Sequence, residues 1–302
     1  MTREDSILAD PAAVRLAGEA GIAEARPPGW VARLLSHRGA VVGLVILIGW
    51  ILIAIFAPLI SPHDPTLTVG RARLPPSAEF WFGTDQLGRD LFSRILHGAR
   101  VSLSLGLISV TLGAIPGIAL GLLAGYYGRF VDTAISRFID ALLAFPSILL
   151  ALVVIASLGP SLQNVMIAVG VATVPEFARL TRGSVLAIKA LPYVEAARVV
   201  GNSGLRIMVL HILRNANAPL VVLATLQVGN AILIGAGLSF LGLGAQPPTP
   251  EWGLISAEGR QVLRKAWWIS TYPGLAILSV VIACNLVGDG LRSALDPKMR
   301  LS

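Results

Sequence analysis

The chain has 302 residues, of which 55% are hydrophobic and only 14% are charged. Because a soluble domain carries about 25% charged residues, this composition excludes a soluble domain and indicates an integral membrane protein. The formal net charge of +7 is typical of basic loops on the inner side of a membrane and does not indicate a nucleic-acid partner.

The N-terminal segment, residues 1–38, is predicted to lie in the cytoplasm. It combines charged and small residues with a Pro-Pro-Gly turn and lacks a long apolar run, so it does not have the pattern of a cleaved signal peptide. Residues 9–25 are compatible with a short surface helix and equally with a flexible tail, and the sequence leaves both open.

Five later intervals contain no Asp, Glu, Lys or Arg, and each is long enough for one crossing of about 20 residues. They are 39–62, 101–128, 141–175, 215–250 and 266–288. The third would be about 52 Å long as one helix, well beyond a hydrocarbon core of about 30 Å, and Gly159-Pro160-Ser161 breaks it. We therefore predict an all-α fold with six transmembrane helices. The predicted spans are roughly 40–60, 101–126, 139–158, 163–181, 219–242 and 268–288.

The distribution of Lys and Arg favours six helices with both termini in the cytoplasm. With six helices the inner segments hold twice as many of these residues as the outer segments, whereas five helices would put the excess outside. The first transmembrane helix is then 39–60, followed by an extracytoplasmic segment 61–100, a five-helix core 101–290 and a cytoplasmic tail 291–302. The polar loop 182–217 falls on the cytoplasmic side.

Four glycines recur at every fourth residue of the second span: Gly113, Gly117, Gly121 and Gly125. At this spacing they line one face of a helix and let another helix approach closely. We interpret them as a helix-packing surface, either within the chain or against a partner subunit, in preference to a direct role in a substrate path.

Polar residues inside the apolar spans are few, and two of them stand three residues apart, on one helix face: Gln227 and Asn230. They are predicted either to line a transport cavity or to join two helices, and the sequence does not distinguish between these roles. No acidic residue is expected well inside the membrane, where a proton- or sodium-driven carrier would normally need one.

Several catalytic and ligand-binding patterns are absent from the sequence. There is no Gly-Lys pair and hence no phosphate-binding loop, and the four histidines do not form a His-Glu-x-x-His zinc pattern. There is no Gly-x-Ser-x-Gly nucleophile motif either. We therefore predict no catalytic residue, no metal site and no cofactor on this chain, so that energy for active transport must come from another subunit.

The polar loop 182–217 contains a helix-competent stretch. Pro192 can open a helix at its first turn, where the carboxylate of Glu195 interacts favourably with the positive helix end. Gly201 can end the helix. Such a short helix of small residues suits insertion into a groove of a partner protein, but a plain connecting helix fits the same residues.

Five residues of this loop follow a particular spacing: Glu195, Ala196, Ala197, Gly201 and Leu213. The pattern resembles the EAA loop of bacterial ABC-importer permeases. In that family the loop forms the coupling helix that docks on the ATP-binding subunit, and the resemblance implies this role here. The chain departs from the family at Arg214, where proline is usual, and at His211, where isoleucine is frequent.

Longer strings narrow the resemblance to the "C" permease of dipeptide and oligopeptide importers. They are 82–90, 238–253, 285–292 and 295–298, and the similarity runs from about Arg38 to Lys298. This family implies a type I ABC-importer permease fold in the bacterial inner membrane. It also implies a heterodimer with a second permease, two ATPases that bind ATP and Mg, and an extracytoplasmic solute-binding protein.

The resemblance implies import of di- or oligopeptides, and this chain would form half of the translocation path. Related importers of glutathione or of a nickel complex share the architecture and remain alternatives. A different class, a secondary carrier or channel that uses Gln227 and Asn230, has less support, because no acidic residue is expected deep in the membrane and the coupling-loop pattern is present.

Overall fold

The computed structural model describes residues 29–295. Within that range the chain is built of helices, and the β pairing consists of two isolated bridges, Thr68 with Arg89 and Thr84 with Asp90. The predicted fold class, an all-α polytopic membrane protein, is confirmed. The predicted helix or tail at 9–25 lies outside the described residues, as do the last three residues of the string 295–298.

The helices of the described range follow one another with short connections, except for the loops 61–90 and 241–251. They are α1 Trp30–Ser36, α2 Arg38–Ile60, α3 Leu91–Tyr127, α4 Arg129–Leu143, α5 Ser147–Leu158, α6 Leu162–Ile188, α7 Pro192–Val199, α8 Gly204–Phe240, α9 Trp252–Gly259 and α10 Trp268–Leu295. Near its start α8 passes through a π-helical stretch, Ile207–Leu213, and continues as a regular α-helix from Arg214.

Four of these helices, α2, α3, α8 and α10, are long and apolar enough to cross a membrane. The helices α4 and α5 meet this criterion only as a pair, which is bent by 92°. With 27 residues, α6 is about 40 Å long, but Glu176, Arg179 and Arg182 make it more polar. Within residues 29–295 the chain thus shows four spans by length and composition, or five with the bent pair. The predicted number of six is not confirmed.

The predicted third span, 139–158, is a bent helix pair in the structure. The first helix, α4, ends at Leu143, and α5 begins at Ser147, with Pro146 in the break. Proline has no N–H to donate and disfavours the helical conformation of the residue before it. The 12 residues of α5 extend only about 18 Å, which is too short for a hydrocarbon core of about 30 Å.

The helix α3 begins at Leu91, well before the predicted start at 101. Asp90 caps it, because its Oδ2 accepts a hydrogen bond from the Ser93 N–H at 3.1 Å. Arg94 lies in the first turn and is fully buried. A charged residue therefore continues this helix, whereas the charge-free interval placed its start ten residues later.

A buried ion network fastens the segment before α3 to α9. The Nη1 atom of Arg94 lies 2.5 Å from Asp85 Oδ2 and 2.5 Å from Glu258 Oε2. Arg89 contacts the same two carboxylates, at 2.5 Å and 3.1 Å. Breaking a buried pair leaves an uncompensated charge at a cost of about 3–5 kcal/mol, so these side chains hold this end of the helix bundle together.

The most extensive contact between helices joins α3 to α6, and the four glycines of the predicted packing surface lie in it. A Cβ atom on Gly117 would stand 2.6 Å from the Cβ of Phe177 and 2.7 Å from the carbonyl oxygen of Val174. Both distances are below van der Waals contact, so only glycine allows this helix separation. The other three glycines approach α6 equally closely: Gly113, Gly121 and Gly125.

Candidate functional site

The helix α7 occupies the loop in which the sequence places a partner-docking helix. It starts at Pro192, carries Glu195 in its first turn and ends at Val199. Gly201 follows with φ of +85°, in the left-handed region that favours glycine. The Asn202 side-chain amide closes the turn by donating a hydrogen bond to the Ala197 carbonyl at 3.1 Å.

The inner face of α7 is packed against the start of α8. Val194 and Ala197 are buried there, in one cluster with residues of α3 and α6. Their neighbours in this cluster are Leu122, Val185, Ile207, Met208 and Ile212. Leu213 is half-buried and packs against the same cluster. Of the predicted coupling residues, Ala197 and Leu213 therefore hold α7 onto the rest of the chain.

The outer face of α7 and the turn after it expose apolar side chains. Val199 and Val200 are each 82% exposed and Leu205 is 69% exposed, and Ala196 is exposed beside them. We call these four residues, Ala196, Val199, Val200 and Leu205, the docking patch. Apolar surface in water is unfavourable by about 25 cal/mol per Å², and clustered exposure of this kind marks interaction sites.

Glu195 and Arg198 border the docking patch. The Glu195 side chain is 69% exposed and that of Arg198 is 40% exposed, and the Arg198 guanidinium lies 3.6 Å from the Glu195 carboxylate. An exposed pair of this kind contributes little to stability, typically below about 1 kcal/mol. The Arg198 guanidinium also lies over the Tyr126 ring, 5.7 Å from its centroid, so Glu195 is the more available of the two for contacts outside the chain.

The two departures from the family pattern fall within the continuous helix α8. His211 belongs to the π-helical stretch, and Arg214 is the first residue of the regular helix that follows. The His211 carbonyl accepts hydrogen bonds from the Tyr193 hydroxyl at 3.4 Å and from the Asn215 side chain at 2.6 Å. The first of these bonds ties α7 to α8 at this point.

A groove opens along α6, α8 and α10 and consists of three adjoining cavities. The first is about 460 Å³ and includes Asn215 and Arg292. The second is about 420 Å³ and includes Gln227 and Asn230, and the third is about 300 Å³. All three are lined by Leu223, so they form one depression, which we call the α6–α8–α10 groove.

For the two polar residues of the predicted fifth span, the sequence left open whether they line a cavity or join two helices, and the structure shows both. Gln227 and Asn230 line the groove. Gln227 is buried, and its Nε2 donates a hydrogen bond to Glu176 of α6, so it also joins two helices. Asn230 Nδ2 in turn donates to Gln227 Oε1 at 3.0 Å.

Glu176 is the residue of this site that sequence reasoning missed. It lines two cavities of the α6–α8–α10 groove and stands half-way along α6, which continues to Ile188. The predicted span ended at 181, seven residues before the end of this helix. The helix-competent stretch from Arg182 to Ile188 is the signal that would have extended the predicted helix.

The described residues 29–295 hold no cluster of three or more His, Cys, Asp or Glu side chains that could bind a metal ion. The candidate site therefore consists of an exposed apolar patch at one end of α8 and, further along the same helix, a mainly apolar groove that contains a few polar side chains.

Comparison with known protein families shows to which family the chain belongs. The family described as the inner membrane component of binding-protein-dependent transport systems matches residues 117–301. The N-terminal transmembrane domain of oligopeptide transport permease C matches residues 30–76. The chain belongs to this family of transport permeases. The resemblance to ABC-importer permeases noted in the sequence is thus confirmed, and the permease is a multi-pass protein of the inner membrane.

Individual relatives agree with the family. The permease is 51% identical over 269 residues to a dipeptide transport system permease protein of Alkalihalophilus pseudofirmus, covering 89% of this chain and 88% of that relative. It is 45% identical over 273 residues to a glutathione transport system permease protein of Pectobacterium atrosepticum, covering 90% of each.

A solved structure shows the same fold. A chain of the inward-facing MetNI methionine ABC transporter superposes with a TM-score of 0.55 at 20% identity. The match covers 68% of the permease and 98% of that chain. At this identity the likeness concerns the fold alone.

Proposed function

We propose that the permease forms half of the path by which di- or oligopeptides cross the inner membrane, driven by ATP hydrolysis on separate subunits. The observation that carries this proposal is the docking patch, an exposed apolar surface on a polar loop, joined by one helix to a groove that contains Glu176, Gln227 and Asn230. The relative named for dipeptide transport, at 51% identity, supports a peptide as the cargo.

The helix α8 provides the mechanical link between patch and groove. It runs without interruption for 37 residues, about 55 Å, from the docking patch past Gln227 to Phe240. The buried face of α7 packs on the first turns of α8 through Ile207 and Met208. A push on the docking patch therefore reaches the groove through packed helices, which transmit displacement because protein interiors have few voids.

The docking patch is proposed to sit in a groove of an ATP-binding subunit on the cytoplasmic side. Two such subunits bind ATP and Mg, and their closure moves α7. Glu195 and Ala196 face the ATPase, whereas Ala197, Gly201 and Leu213 shape and hold the helix. We propose that both termini of the permease then lie in the cytoplasm, which requires α6 to cross the membrane in addition to the bent pair of α4 and α5.

The second permease is proposed to close the α6–α8–α10 groove. Asn285 lines this groove and is exposed although it lies near the middle of α10. A polar side chain exposed at that depth would be costly against lipid, so an unlike partner subunit covers this side. Gln227 and Asn230 then line the shared path, and a solute-binding protein delivers the cargo from outside.

The glycine surface of α3 is proposed to keep α3 and α6 together as one unit when α7 moves. The backbone-to-backbone approach at Gly117 leaves no room for sliding of one helix over the other. Motion at the docking patch then shifts α6 and α8 relative to the partner permease and does not dissipate inside this chain.

Glutathione is a second candidate cargo, because one relative at 45% identity is a glutathione transport permease. A nickel complex remains the third alternative from the sequence. We expect a strain without this chain to lose uptake of a radiolabelled dipeptide and to regain it when the chain is restored on a plasmid. Glutathione and nickel uptake should be unchanged by the deletion.

The three cargoes are measured side by side, with the empty plasmid as control. Loss of glutathione uptake with normal dipeptide uptake would replace the proposed cargo by the second candidate. Normal uptake of all three in the deletion strain would contradict the proposed cargo class altogether.

A further inference from the structure

Glu176 is a carboxylate half-way along α6 without a basic partner among residues 29–295. The two nearest acidic residues of the neighbouring helix α4 are both paired. Asp132 lies 2.5 Å from Arg182, and Asp140 lies 2.8 Å from Arg179. Glu176 forms no ion pair with a described residue, and it accepts a hydrogen bond from the neutral amide of Gln227.

The amides next to Glu176 are oriented to favour a negative charge. Asn230 donates to Gln227, and Gln227 donates to the carboxylate. Hydrogen bonds to an ionised acceptor are about twice as strong as neutral ones. One donor group, the Gln227 amide, thus points at the carboxylate, and Asn230 holds that amide in place.

The other side of the carboxylate faces open space. Glu176 lines two of the three cavities of the α6–α8–α10 groove. An ionisable residue inside a membrane helix is expensive and as a rule faces a partner or a water-filled path. Arg179 lines one of these cavities too, but it is paired with Asp140, so we look for the countercharge of Glu176 in the groove.

We propose that Glu176 binds the α-ammonium group of the peptide while the cargo occupies the groove. This inference rests on the proposed function, because the N-terminal ammonium is the cation that all unmodified linear peptides share. Gln227 holds the carboxylate in place, and the side-chain amides of Asn230 and Asn285, which line the same cavity, are placed to bond the peptide groups of the cargo.

The test uses the complete transporter in proteoliposomes, with both permeases, both ATPases and the binding protein. Uptake of a dipeptide per ATP hydrolysed is compared between the parent and Glu176→Gln, which removes the charge and keeps the shape. A charge-assisted hydrogen bond contributes enough that its loss should lower this ratio roughly tenfold to a hundredfold. Glu176→Asp should retain most of the parental ratio.

Asp140→Asn is the matched control, since it also removes one carboxylate but from a paired and exposed site; its transport ratio should equal that of the parent. A second arm compares the dipeptide with its des-amino form, supplied so that the binding protein is equally occupied. The parent should prefer the dipeptide, and Glu176→Gln should lose that preference.

A parental uptake ratio together with an undiminished preference in Glu176→Gln would overturn the proposal. Failure of Glu176→Gln to assemble with the second permease would also overturn it, because the carboxylate would then serve that subunit and not the cargo. If the parent transporter itself carries no dipeptide, the proposed function fails first, so the two failures are distinguishable.

Discussion

Replacement of Gly117 with leucine should remove the folded permease from the membrane. A Cβ atom alone would come within 2.7 Å of the Val174 carbonyl oxygen, and this backbone atom cannot rotate away as a flexible side chain could. Overpacking a core typically costs about 1–3 kcal/mol and occasionally more. We expect a cost of about 3 kcal/mol or more. It should be measured as a strong loss of full-length chain, and of the assembled complex, in membrane extracts.

Gly49→Leu is the matched control, because Gly49 also lies within a spanning helix but has no atom within 4 Å of an added Cβ. This variant should accumulate to the parental level. Equal amounts of both variants in the membrane would contradict the close packing of α3 on α6.

Replacement of Ala196 with aspartate should abolish transport while leaving the permease folded. Ala196 is exposed in the isolated chain, so the new carboxylate remains in water until a partner covers it. Covering an unpaired charge costs about 3–5 kcal/mol, which corresponds to a hundredfold or more weaker binding. We expect normal permease levels, loss of the ATPase on purification, and loss of uptake.

Two further substitutions serve as controls for Ala196→Asp. Ala196→Ser keeps the residue small and uncharged and should retain both ATPase binding and uptake. Ala197→Asp places the same charge on the buried face of α7, so it should lower the amount of permease itself. Retention of the ATPase and of uptake in Ala196→Asp would rule out the docking patch as the contact.

The local features of the loop could be predicted from the sequence because each depends on near neighbours. Pro192, Glu195 and Gly201 define the start, first turn and end of α7 by backbone preferences alone. Which face of α7 is buried could not be predicted, since it depends on Ile207 and Met208 of the next helix.

The bounds of the membrane spans could be predicted only where a charged residue marks the end of a helix. Arg94 continues α3 because Asp85 and Glu258, the second of them distant in sequence, neutralise it. The helix α6 runs seven residues beyond its predicted end at 181, to Ile188. A charge-free interval records neither partner of Arg94, so it shortened α3, and it did not detect the break at Pro146 within an apolar run.

Glu176, a carboxylate in the α6–α8–α10 groove, is the residue that a secondary carrier would use. Family membership decides the class in favour of a transport permease of the ABC importers. Since an ATP-driven importer and an ion-driven carrier differ in their energy source, the energy source is the property to measure.

The most direct test is dipeptide accumulation by proteoliposomes that contain the permease with its partner subunits and binding protein. One set is supplied with ATP and Mg at the ATPase face without an ion gradient, and the other with a proton or sodium gradient and no ATP. Our account predicts accumulation in the first set only, and its loss in Ala196→Asp. Accumulation driven by the gradient without ATP, unaffected by Ala196→Asp, would contradict it.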